Sequence, residues 1–286
     1  MRQRKSEQPA RDALAGLLVR CGLAELSRRL LTRGGRFALV FHGISAKKQP
    51  SIPLGVQPYL SAADLHSVLA WLDTRFDFLT PEEFLDGAAG GVLLTFDDGF
   101  ANNYFNALPV LEIFQAPAVF FVTTQHVRNP QDWLPFVSRL RNQHKLNIEE
   151  LEPSLAQEYF DGMSASQVAE CARHPLITIG AHTTSHPMLT TCSQKQLFSE
   201  LVDSRQYLED ITAQAIDLFA YPAGDYNREV LAAVKGSGYR AAFVEESKQL
   251  GQPKFEIPRV GLYDASRVYI SLKLSGLHQR AIRQIF

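Results

Sequence analysis

The feature that most constrains this chain is a succession of short, almost unbroken apolar runs separated by stretches of helical periodicity. Phe37–Phe41, Val92–Phe96, Pro117–Thr123, Leu176–Gly180, Ile216–Tyr221 and Gly238–Val244 read as buried strands. Ala107–Phe114 and Arg228–Lys235 read as helices, as does the stretch after Ser193, where Leu197, Leu201, Leu208 and Ile211 form one apolar face. Helix starts are marked at Thr80-Pro81-Glu82-Glu83 and by the Ser193/Gln196 capping pattern. Strands alternating with crossover helices predict an α/β fold, and about six or seven such steps predict a closed or partly closed parallel barrel. Residues 125–173 break the rhythm, being more polar and carrying Trp133, and read as an insertion between barrel elements.

A length of 286 residues with 45% hydrophobic content suits one large core, here assigned to residues 36–286. The formal net charge of −1 gives no nucleic-acid signature. Three scattered cysteines, Cys21, Cys171 and Cys192, imply neither a disulfide framework nor a CxxC site, and a reducing, cytoplasmic compartment is the simpler expectation. Ala13–Val19 is interrupted by Arg20, too short to span a membrane and poorly flanked for a signal peptide. Residues 1–36 carry nine Lys or Arg against three acids. With Leu14, Leu17, Leu18, Cys21, Leu26 and Leu30 at helical spacing, residues 1–35 read as a basic amphipathic helix, either packed on the domain or resting peripherally on an anionic membrane surface.

Chemistry gathers at predicted strand ends. In Thr95-Phe96-Asp97-Asp98-Gly99 two adjacent carboxylates close a buried run. Ionising both there is costly, which suggests that one binds a cation while the other stays free as a base; the alternative is an Asx turn capping a helix. His182-Thr-Thr-Ser-His186 follows another buried run, and two histidines four apart on a helical turn face the same side. Both motifs fall on the C-terminal face of a parallel barrel. Asp, His and His from two strand ends make a three-ligand set with a position left for water and substrate, the pattern of a catalytic site. Tyr221-Pro222-Ala223-Gly224 ends a third strand in a turn able to aim backbone N–H groups inward, and His42 follows the first strand on the same face.

Together these motifs resemble, in order, the first three of the polysaccharide deacetylase family, also called the NodB-homology or chitooligosaccharide deacetylase group. The resemblance runs from about Phe37 to about Gly276 and includes Val40-Phe41-His42. It implies a distorted parallel (β/α) barrel with fewer than eight repeats. It implies one divalent metal, usually zinc, on Asp98, His182 and His186, with Asp97 as general base. It further implies an N-acetylated saccharide substrate, whose tetrahedral oxyanion the Ala223 N–H would help to hold. The chain departs from the family pattern in places. Phe219-Ala220 stands where the third motif often begins with Arg, and neither the Asp/Trp fourth motif nor the Leu-x-His fifth is evident. His42 is therefore the candidate acid, and Arg259 in Ile257-Pro-Arg-Val260 the candidate cation orienting Asp97. These features are most similar to members associated with surface-polysaccharide biosynthesis. Two alternatives stay open: a deformylase or other small-acyl amidase on a lipid- or nucleotide-linked sugar, and a catalytically inactive saccharide-binding protein.

Overall fold

The apolar runs form strands because β-branched and aromatic residues populate both of their faces, and a parallel sheet offers cover on both sides. A computed structural model of the chain describes residues 35–49, 60–87, 90–131 and 152–275. In chain order the strands are β1 (Arg36–Phe41), β2 (Ile44–Ser45), β3 (Leu60–Ser61), β4 (Gly91–Phe96), β5 (Ala118–Val122), β6 (Ile177–Ala181), β7 (Leu218–Ala220), β8 (Ala241–Val244) and β9 (Ile257–Gly261). Seven of them close a parallel barrel in the order β1-β4-β5-β6-β7-β8-β9, and β9 returns to β1 through Ala38↔Arg259 and Val40↔Gly261. The short β2 and β3 pair separately. The expected (β/α) barrel with fewer than eight repeats is what the chain forms.

Alternation along each strand divides the core in two. Leu39, Phe41, Leu94, Phe96, Phe120 and Val122 join the large cluster that also holds the helix residues Leu65, Leu69, Leu111 and Leu208. Their neighbours Ala38, Leu93, Val119, Phe121, Ala220 and Phe243 form a second, smaller cluster. The first layer lies between strands and helices, and the second fills the barrel. Continuing the alternation, Thr95 on β4, Asp97 just after it, His182 after β6 and Arg259 on β9 all fall on the inward side.

The crossover helices start where side chains can cap them. Ser61, Thr80, Ser164 and Ser193 each accept a backbone N–H three residues on, and Asp64, Glu83, Gln167 and Gln196 reach back. Each such cap is worth about 1 kcal/mol. Two expected strands are shorter than their apolar runs, since Ile216–Tyr221 yields Leu218–Ala220 and Gly238–Val244 yields Ala241–Val244. β9 has no apolar run to announce it, because Pro258 removes a ladder donor and Arg259 interrupts the apolar pattern. Within residues 125–173 the described part contains helices Thr124–Arg128, Pro153–Phe160 and Ala165–Arg173, the last packing on β6. Residues 1–34, which carry nearly all of the basic N-terminal segment, lie outside the described residues, as does Trp133.

Candidate active site

The end of β4 splits the two carboxylates. Asp97 keeps the strand direction, its N–H donating to the Phe41 carbonyl at 3.0 Å. Asp98 turns into the left-handed region at φ 76°, followed by Gly99 at φ 79°. A non-glycine residue there costs about 1–3 kcal/mol and persists only when its surroundings enforce it. The turn sends Asp98 into a pocket where it is 1% exposed and where neither carboxylate oxygen has a hydrogen-bond donor among the described residues. Its Oδ1 lies 3.5 Å from Nε2 of His182 and 3.5 Å from Nε2 of His186. One ligand atom from each of Asp98, His182 and His186 lies within 4.8 Å of the others. Two ligands about 2.0–2.1 Å from one tetrahedral metal stand roughly 3.3 Å apart, so the observed spacing fits a divalent cation. A buried carboxylate without donors is several kcal/mol unfavourable unless a cation satisfies it, and the donor set fits on that ground too.

The histidines do not sit on a helical turn as their spacing suggested. Residues 182–188 form a loop, with Thr183 at φ 69° and His186 at φ 57°. Those two left-handed residues fold the chain back so that both imidazoles meet Asp98, and the Thr183 hydroxyl accepts the His186 N–H at 3.0 Å. His182 follows β6 directly, and its Nδ1 donates to the Ala220 carbonyl at 2.8 Å. That bond fixes the tautomer and leaves the Nε2 lone pair facing Asp98.

Burial and the neighbouring charges pull these groups in opposite senses. Burial alone would raise the Asp98 carboxyl, but the imidazoles of His182, His42 and His186 hold it well below the usual carboxylate range. Burial pushes His186 down to about 4, so its ring is neutral near pH 7. Burial also opposes charge on His182, yet Asp97, then Asp98 and the Ala220 carbonyl, raise it above the ordinary imidazole value.

Asp97 is clamped from β9. Arg259 Nη1 donates to Oδ1 and Nη2 to Oδ2, both at 2.6 Å, in a two-pronged pair with Asp97 4% and Arg259 5% exposed. Nη1 also donates to the Thr95 hydroxyl at 3.1 Å, and that hydroxyl donates to the Leu39 carbonyl at 2.8 Å. The guanidinium lies over the Phe121 ring, 5.5 Å from its centroid. Burial would raise the Asp97 carboxyl, but Arg259 and then His182 hold it below its ordinary value. Asp97 is therefore ionised at neutral pH, and each oxygen keeps a second lone pair for a proton.

The other expected residues gather at the same mouth. His42 follows β1, half-buried, with Nδ1 unpartnered among the described residues and its ring 5.8 Å from Tyr263. Its imidazole is among the groups that hold the Asp97 and Asp98 carboxyls below their ordinary values. Ala223 lies in the turn after β7 at φ 52°, next to Gly224 at φ 61°. Sequence reasoning did not single out Thr95 as the bridge to Arg259, nor Tyr263 beside His42. It also missed Glu200, whose carboxylate holds the histidine loop. Tyr263 and Glu200 lie outside every motif, and only the folded chain brings them here.

The polysaccharide deacetylase profile matches residues 86–242, more than half of the chain, including Asp97, Asp98, His182, His186 and Ala223. The chain belongs to the polysaccharide deacetylase family. The expected hydrolase class, acting on the amide C–N bond, goes with that membership. His42 and Arg259 fall outside the matched segment, so the structure rather than the profile attaches them to the site. Among relatives of this polysaccharide deacetylase, the YxkH protein of Bacillus subtilis is 26% identical over 246 residues, spanning 83% of this chain and 72% of that protein. The poly-beta-1,6-N-acetyl-D-glucosamine N-deacetylase of Staphylococcus aureus is 26% identical over 230 residues, spanning 77% and 73%. The fold is shared with the Streptococcus pyogenes deacetylase PplD (TM-score 0.62, 21% identity, 79% and 91% of the two chains). It is also shared with IcaB of Ammonifex degensii (TM-score 0.61, 20% identity, 84% and 97%).

Proposed function

We propose that this chain removes N-acetyl groups from amino sugars of a polysaccharide or its saccharide precursor, using one divalent metal, zinc for preference, held by Asp98, His182 and His186. The observation that carries the reading is the buried Asp98 carboxylate, unpartnered by hydrogen bonds among the described residues and 3.5 Å from two imidazoles, beside an Asp97 locked by Arg259. The S. aureus relative, named for poly-beta-1,6-N-acetyl-D-glucosamine, supports an N-acetylglucosamine polymer as the substrate class.

A cation at the centre supplies Lewis acidity and makes water a better nucleophile. The remaining work falls to the chain. Asp97 accepts the proton of the attacking water, and Arg259 keeps its carboxylate ionised and aimed. The Ala223 N–H donates to the developing oxyanion. His42 delivers a proton to the leaving amine, from the opposite side of the mouth to the histidine loop. As part of the same proposal, residues 1–35 hold the protein against an anionic cytoplasmic membrane surface.

The test uses metal-loaded protein and short N-acetylglucosamine oligomers, with acetate and formate both measured. Expected are about one metal per chain, release of acetate, loss of release on chelation and recovery with zinc. Formate release in place of acetate would favour the deformylase alternative, and binding of oligomer without any release would favour the inactive saccharide-binding one. Undiminished turnover after chelation would overturn the metal assignment.

A further inference from the structure

The histidine loop is held from two sides, and one of the two holders belongs to no motif. On one side its carbonyls are taken: Thr124 N–H donates to the Thr183 carbonyl at 3.1 Å, Gln125 N–H to the Thr184 carbonyl at 2.8 Å, and the Thr123 hydroxyl to the His182 carbonyl at 3.2 Å. On the other side its donors converge on one carboxylate. Glu200 Oε2 accepts the N–H groups of Thr184 at 2.8 Å and Ser185 at 2.9 Å, and Oε1 accepts the Ser185 hydroxyl at 2.6 Å. Successive backbone N–H groups after a left-handed residue form a concave anion-binding nest, and here the anion is supplied by the protein itself.

The helix that carries Glu200 is built to deliver it. Gln194–Phe198 and Ser204–Thr212 are α-helical, but Ser199–Asp203 between them is a π turn. One extra residue in that turn re-aims the side chains beyond it, and such bulges concentrate at functional sites. The turn loosens the backbone at Glu200, and the Ser204 hydroxyl compensates by donating to the Glu200 carbonyl at 2.7 Å. Ser204 is itself fully buried. An ordinary α-helix would carry position 200 with a different phase relative to Leu208 and its apolar face.

We propose that Glu200 is a positioning residue for the metal centre, acting by holding Thr184 and Ser185 so that His182 and His186 converge on Asp98. The inference rests on the metal reading of that centre. Without the carboxylate, the Thr184 and Ser185 N–H groups lose their acceptor and the loop loses the contact that opposes the pull of Thr124 and Gln125. The displacement falls on the loop beyond His182, which stays tied to β6 and Ala220. A glutamine at position 200 can accept both N–H groups through its oxygen and donate to the Ser185 hydroxyl through its nitrogen, so it keeps all three bonds.

The test is titration of the metal-free full chain with Co(II), following the visible absorption that reports ligand geometry, and competition between zinc and a chelator. Loss of such a supporting residue typically weakens metal affinity by about 10–100-fold. The expectation is that Glu200→Ala loses affinity in that range with an altered Co(II) spectrum, while Glu200→Gln restores both. Ser185→Ala, which removes one bond of the three, should shift the spectrum in the same direction by less, and it serves if Glu200→Ala does not fold. Leu208→Ala, a core change in the same helix, should lower the melting temperature and leave the spectrum alone. Wild-type spectrum and affinity in Glu200→Ala would overturn the proposal, as would Leu208→Ala reproducing the Glu200→Ala spectrum. A wild-type chain that takes up no Co(II) would overturn the metal reading and the clamp together.

Discussion

Two adjacent carboxylates of the same type are sent to different partners by one backbone torsion. Asp97 keeps the strand direction and meets Arg259, whereas Asp98 at φ 76° faces the imidazoles of His182 and His186, each at 3.5 Å. Asp97→Asn should therefore retain metal while losing turnover by about 10²–10⁴-fold, the usual cost of losing a general base. Asp98→Asn should lose metal. Metal analysis beside acetate release reads both variants, and the opposite pattern would show that the roles are exchanged. Arg259 gives a sharper contrast. Arg259→Met strands a buried carboxylate, and removing one partner of such a pair costs about 3–5 kcal/mol. Urea unfolding should show that loss, together with a fall in turnover. Arg259→Lys keeps the charge but not the two parallel bonds at 2.6 Å, so it should recover stability and leave activity depressed. Full activity in the lysine variant would mean that charge alone suffices. For His42, replacement by Ala should lower kcat by about 10²-fold with metal retained. The deficit should shrink on a substrate whose leaving amine is weakly basic, because such a group departs with less help from a proton. An equal deficit on both substrates would reject His42 as the donor.

At the level of elements, the barrel interior has little room around the site. Gly180 on β6 pairs with Phe121 on β5, and a Cβ on Gly180 would meet the Phe121 ring at 2.5 Å. That ring lies beneath the Arg259 guanidinium. Gly180→Ala should push the ring toward Arg259 and destabilise the fold by about 1–3 kcal/mol, the common range for overpacking. Turnover should fall further than stability alone explains, as a fold-corrected kcat would reveal; an unchanged kcat would mean that the ring yields in another direction. The strands of this barrel were legible in the sequence because strands buried on both faces read as unbroken apolar runs. The motif residues were legible because they close those runs. Three features were not. β9 carries Pro258 and Arg259 and so lacks an apolar run, although its arginine pairs with Asp97. The spacing of His182 and His186 fits a helical turn as well as a loop, and the loop wins through two left-handed residues that neither Thr nor His announces. The π turn at Ser199–Asp203 leaves the apolar pattern of its helix nearly intact, so the re-aiming of Glu200 has no mark in composition or period.

Charge is divided unevenly over the whole molecule. Residues 1–36 hold an excess of six positive charges, so an overall charge of −1 leaves the remaining residues seven negative. An acidic body is repelled by an anionic surface, and any attraction must come from the basic segment. No helix among the described residues is long and apolar enough to cross a membrane. Among the described residues the barrel closes from β1 onward. β1 begins at Arg36 and is paired along its length by β4 and at Ala38–Val40 by β9, and Arg36 itself donates to the Phe84 carbonyl and lies over the Phe84 ring. Deleting residues 1–34 should therefore preserve the melting temperature to within a few degrees, as well as metal content and turnover on soluble oligomers. Binding to vesicles should separate the two forms. Each Lys or Arg near an anionic surface contributes about 1 kcal/mol, within a screening length of about 10 Å at 0.1 M salt. The full chain should sediment with phosphatidylserine-containing vesicles at low ionic strength and be released as salt is raised, and the shortened chain should stay in solution throughout. Binding that persists at high salt would point to burial of the Leu14, Leu17, Leu18 face in the bilayer rather than charge. A full chain that never sediments would overturn the membrane contact and leave packing against the barrel as the role of the segment.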